Sequence, residues 1–170
     1  MSASHSVILK STSAQMLASL GYVLKKGGEH ATALKAPEEV FLNFRLYPDM
    51  FPLSRQVQIC ADNAARGAAR LAGVQLPSFP DTETTFAQLI ERTQKALAYV
   101  QGVSSEAIDA RADAEITFPI GGGNEMTMPA QAFLLNYVLP NVFFHAATAY
   151  DILRHNGVPL GKRDFLRPGG

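Results

Sequence analysis

Asn141 and His145 stand four residues apart in "PNVFFHAATAYDILRHNG" (140–157), a stretch otherwise apolar enough for burial. On a helix that spacing sets both side chains on one face, one turn apart. An imidazole can ligate a metal, act as a general base near neutral pH, or bond inside a core. An amide mainly donates and accepts hydrogen bonds. A metal site, a substrate contact and a buried hydrogen bond are therefore all open. His155 cannot join His145: at ten residues' distance it lies roughly 80° round the helix and about 15 Å along it. His5 and His30 fall near a terminus and in a loop.

Other residue types invite a similar weighing. Arg45 and Asp49 flank Tyr47-Pro48 just ahead of Pro52; they can anchor a substrate or brace the start of a helix. Tyr150 and Arg154 are one turn apart. Arg154 can clamp an anion through its planar fork, or pair with Asp49 or another carboxylate. Cys60 sits in a run of small residues, where a thiol usually behaves as an inert hydrophobe. Gly121-Gly122-Gly123 has no strand-to-helix context and reads as a turn, not a phosphate loop. The chain carries no nucleophile elbow and no dinucleotide fingerprint.

Elements must position these groups. Apolar residues at spacings of three and four predict a helix over 5–26, ended by Gly27-Gly28. Pro37 opens a short second one. A second long helix starts at Pro52–Ser54 and ends near Leu71, before Gly73; its stripe of Ala and Cys lets a neighbour approach closely. A third runs from Thr85 to Val103, with Asp81 or Thr82 as cap. Ile116, Phe118 and Ile120 alternate before the triple glycine, which predicts a hairpin, with Pro119 needing an edge position. A last helix covers about Ala130 to His155, kinked or divided by Pro140. The tail 158–170 reads as irregular but sequence-rich enough to dock. The fold class is all-α: four long helices in a bundle, with a short hairpin between the third and fourth, as one domain over 1–170.

Composition narrows the function. Fifteen basic and fifteen acidic residues cancel among 170. That argues against a nucleic-acid surface, and no basic run suggests a membrane patch. A single cysteine excludes an internal disulfide and fits a cytoplasmic protein. The last helix is apolar around most of its circumference, from Phe133 to Phe144. A helix apolar all round must be covered all round, which predicts a homodimer.

"RLYPDMFPLSRQVQ", "DTETTFAQL", "LPNVFFHAATAYDILRHNGVPLGKRDFL" and the hairpin resemble, over nearly the whole chain, a bacterial family known as a domain of unknown function and grouped with the DinB/YfiT-like four-helix bundles. That superfamily typically holds a divalent metal such as zinc or nickel with three histidines. The resemblance places His145 on one ligand, Asn141 on a second and Gln58 on the third. Amides are poor ligands for such metals. The resemblance thus implies a degenerate metal site with no cofactor, and a polar pocket lined by Gln58, Asn141 and His145, with Asp49 and Arg154 as further contacts for a small molecule. We expect the three to form one hydrogen-bonded cluster. A metal-dependent thiol transferase or hydrolase using His145 is the alternative; a structural homodimer without catalysis is another.

Overall fold

The computed structural model describes residues 3–166. Its elements are α1 (His5–Ala33), α2 (Glu38–Leu42), α3 (Leu53–Ala72), α4 (Phe86–Gly102), α5 (Ser105–Asp109), β1 (Glu115–Gly121), β2 (Asn124–Pro129), α6 (Ala130–His155) and α7 (Lys162–Leu166). The long helices α1, α3, α4 and α6 make the expected bundle. α1 and α3 each pack against both α4 and α6. Leu9, Leu17, Leu20 and Leu24 of α1 meet Leu53, Val57 and Leu71 of α3, Leu89 of α4 and Ile152 of α6 in one core. The α3 stripe of Ala61, Ala64, Ala65, Ala68 and Ala69 is fully buried.

Several boundaries differ from expectation for identifiable reasons. α1 runs through Gly27-Gly28 to Ala33. A Cβ at Gly27 would lie 2.8 Å from the Phe86 ring and 2.9 Å from Leu153, so this glycine serves close packing and not termination. The cap of α4 is Thr85, not Asp81 or Thr82: its hydroxyl accepts from the Gln88 amide while Gln88 reaches back, a capping box. The tail is not irregular throughout. Residues Lys162–Leu166 form a short helix on α1, with Lys26 bonding Asp164 at 3.0 Å and Phe165 edge-on to Tyr150. The last four residues of the tail, 167–170, lie outside the described residues.

β1 and β2 pair antiparallel, Ile116 with Met128 and Phe118 with Met126. Both strands of a two-stranded sheet are edges, so Pro119 is tolerated. Gly121, Gly122 and Gly123 all adopt positive φ, which a turn this tight requires. Ile116 and Phe118 point into the bundle. There the Phe118 ring packs at a tilt against Phe133 and Tyr137, with centroids 4.8 and 4.4 Å away.

Pro140 neither divides nor ends α6. Its ring would collide with the carbonyl four residues back in a regular helix. Just ahead of it the backbone opens into one π turn, Leu134–Val138, in which the Leu139 N–H reaches the Leu134 carbonyl. The Asn141 side chain bonds the Tyr137 carbonyl at 2.7 Å. By length and hydropathy α6 is apolar enough to cross a membrane, yet half of its most apolar stretch is buried in the bundle. It is the core helix here.

The π turn seats on α3 at Gly67, where an added Cβ would come 2.7 Å from Val138 Cγ1. Gly67→Ala is therefore expected to cost about 1–3 kcal/mol through overpacking. Gly102→Ala, with nothing within 4 Å, should cost nothing. Urea denaturation of both variants checks this; equal midpoints would refute the tight seat.

Candidate functional site

α6 delivers His145 to the interior, 9% exposed, where its Nδ1 lies 2.7 Å from Gln56 Oε1. Gln56 is itself anchored, since its Nε2 donates to the Phe51 carbonyl at 3.1 Å. That bond fixes the amide orientation. Oε1 is then the acceptor, so neutral His145 carries its proton on Nδ1. Nε2 keeps its lone pair, and no described residue bonds it. The Phe144 ring stands edge-on at 5.2 Å. Burial, with the Arg55 charge second, holds the imidazole below its usual pKa.

The expected Gln58–Asn141–His145 cluster does not form. Gln58 is buried but faces the other way, donating to Glu83 Oε2 at 2.9 Å and accepting from Arg55 at 3.2 Å. Two residues of helix are about 200° of rotation, so Gln56 and Gln58 cannot both look at α6. Asn141 is turned back on its own helix at Tyr137. The three side chains have three separate partners.

What Gln58 joins is a charged network centred on Arg92 of α4, whose side chain is 2% exposed. Its guanidinium bonds Asp62 at 2.7 Å, Asp81 at 3.1 Å, Glu83 at 2.8 Å and the Pro80 carbonyl at 3.1 Å. Phe79 covers it at 5.4 Å. Arg55 pairs with the far side of Asp81. Burial would raise the Glu83 carboxyl, but hydrogen bonds from Arg92 and Gln58 outweigh it and hold it below the usual range. Sequence reasoning passed over Arg92, Glu83 and Gln56. Arg92 did carry a signal, because it falls three residues after Leu89 and four before Ala96 on the buried face of α4.

The remaining candidates stand apart. Asp49 is exposed, and Arg45 braces its loop instead by donating to the Pro48 and Met50 carbonyls. Arg154 is exposed in the last turn of α6 and forms no ion pair among the described residues. Cys60 is fully buried, and burial pushes its thiol up to about 12, so it supplies no thiolate near neutral pH. A three-His metal centre does not fit this donor set. His145 meets an amide, and among the described residues no three His, Cys, Asp or Glu side chains are placed to hold a metal ion.

A pH prediction follows from His145. Its folded pKa lies below the unfolded value of about 6.5, so the unfolded chain binds the proton first. Its contribution to stability is complete above that value. It is lost as pH falls from about 6.5 toward the lower folded pKa. Melting temperature should fall over that window in the wild type, and His145→Gln should flatten that part of the slope. Identical slopes would refute it.

Residues 8–166 match a family described as a domain of unknown function, DUF1993. A crystal structure of a DinB family member protein from Shewanella denitrificans is similar to this chain, with 39% identity and a TM-score of 0.83 over 92% of this chain and 88% of that one. No curated protein matches. On a match that takes in every long helix, the hairpin and the docked tail, the chain belongs to the DUF1993 family, a DinB-like family of helical bundles.

Proposed function

We propose that this protein is a metal-independent bundle that binds a small molecule and does no chemistry through His145. The observation that carries the reading is the 2.7 Å bond from His145 to Gln56. The imidazole is oriented by an amide in the interior, where a metal site would need two further strong donors. Clefts of about 210 and 420 Å³ open instead on the flanks of the bundle. The same reading keeps the protein in the cytoplasm, its one cysteine buried and in no disulfide, and away from nucleic acid and membranes. The alternative is a metal-dependent thiol transferase or hydrolase of the DinB-like type, with the free Nε2 of His145 as one ligand. Elemental analysis of untagged protein separates the two. We expect no stoichiometric zinc or nickel, and no change of melting temperature on adding a chelator. One bound metal per chain, or a drop of several degrees, would favour the enzyme.

A second reading, a homodimer, is favoured by an apolar patch around the same spot. Phe144 is 58% exposed and Phe51 is 55% exposed. Both border the His145–Gln56 pair, Phe144 through its ring contact and Phe51 through its carbonyl. Phe143, next to Phe144 in the chain, is exposed too. Light scattering at micromolar concentration should give twice the chain mass, and Phe144→Glu should halve it. A monomeric wild type would end this reading.

A further inference from the structure

The cleft of about 210 Å³ lies where the hairpin and the π turn meet the outer face of α3. Its charged wall is a row of guanidiniums, Arg55, Arg66 and Arg70, with one carboxylate, Asp62, among them, and its apolar wall is Phe118, Phe133 and Tyr137. The row is unevenly neutralised. Arg55 is paired with Asp81, and Asp62 serves both Arg92 and, at 3.3 Å, Arg66. Arg92, Arg55 and Arg66 therefore face Asp62, Asp81 and Glu83, three cations against three anions. Arg70 is the surplus. Among the described residues no carboxylate pairs with it. Burial, together with the like charge of Arg66 one turn away on the same helix, disfavours its cationic form, and Tyr137 opposes them only in part. Arg66 adds an unmet donor, since its Nε is shut off from water and bonds nothing among the described residues.

Two guanidiniums held together with unspent donors call for an anion, and a carboxylate matches their planar forks. The opposite wall calls for something flat and apolar. Phe118 and Phe133 are nearly fully buried, while Tyr137 is half-buried at the cleft. Size sets the scale. A cavity of about 150 Å³ accepts benzene, whereas pockets for drug-sized molecules start near 300 Å³. About 210 Å³ leaves room for one ring and one acid group.

We propose that this cleft binds a monocyclic aromatic carboxylic acid, with its carboxylate on Arg70 and Arg66 and its ring against Tyr137 and the hairpin. The proposal rests on the small-molecule reading above and gives it a ligand class. The elemental analysis decides metal independence whatever happens at this cleft, so the two fail separately.

Calorimetric titration of the full chain with benzoate, acetate and inorganic phosphate tests it. Benzoate should bind at least tenfold more tightly than acetate or phosphate. Arg70→Gln should weaken benzoate at least tenfold while leaving the melting temperature of the free protein close to wild type. Arg66→Gln, at a side chain 41% exposed, gives the same reading if the first variant does not fold. Amide shifts on adding benzoate should cluster at Arg66, Arg70 and Pro119–Gly121 neighbours. Phosphate binding as tightly as benzoate would overturn the aromatic class, and acetate doing so would remove the role of the ring wall. Benzoate binding that survives both substitutions, or no binding at all, would overturn the site.

Discussion

A guanidinium cannot be buried alone. Removing one charge from water costs several kcal/mol even after the protein relaxes, and Arg92 sits on the inward face of α4 with its side chain almost wholly out of solvent. Its position dictates where three carboxylates must go. Asp62 has to lie on the facing turn of α3. Asp81 and Glu83 have to come from the α3–α4 connection, which is drawn onto the bundle with Phe79 over the guanidinium. A buried ion network of this kind is weak evidence for net stability, because an apolar replacement can do as well. What it specifies is placement. With Asp81 and Glu83 held, the chain enters α4 at Thr85, and the Phe86 N–H meets Glu38 of α2 at 2.6 Å.

The same network governs chemistry at a distance. Glu83 takes the Gln58 amide on the face of α3 turned from α6, and Gln56, two residues back on the opposite face, meets His145. The π turn works in parallel from the other side. Pro140 forbids a regular turn before it, the widened turn presses Val138 against Gly67, and Asn141 is spent on the Tyr137 carbonyl. Neither amide that the resemblance placed near the metal position is left free to serve there. π turns recur at functional sites in other proteins; here one forms a wall of the arginine-lined cleft.

Most of the fold was legible because it follows from local periodicity. The four long helices and the hairpin with its glycine turn rest on patterns of three, four or two residues. The misses have a common cause in contacts between elements. Gly27 looks like a stop signal, but whether a glycine ends a helix or lets another helix approach depends on Phe86 and Leu153, far along the chain. The α4 cap is Thr85, not Asp81 or Thr82: Asp81 is held by Arg92 and Arg55, and Thr85 closes a capping box with Gln88. At the site, a slip of two residues between Gln58 and Gln56 reverses which face of α3 is involved. A resemblance read along a helix has no better resolution than that unless an invariant side chain anchors it.

Charge balance explains why the cleft was the least legible feature. Over the whole chain acidic and basic residues are equal in number, and that equality suggests no site for an anion. It is a sum over a surface, however, and binding responds to the local remainder. Arg92 is inside, so it draws its three partners toward the α4 side of α3. The outer row of arginines is left with less than its share, and the deficit falls at Arg70, the end of the row farthest from Asp81. A hairpin packed on the same face then supplies low-dielectric walls, and these strengthen whatever field remains. A neutral protein thus acquires a positive recess because burying one cation fixes where its anions can stand.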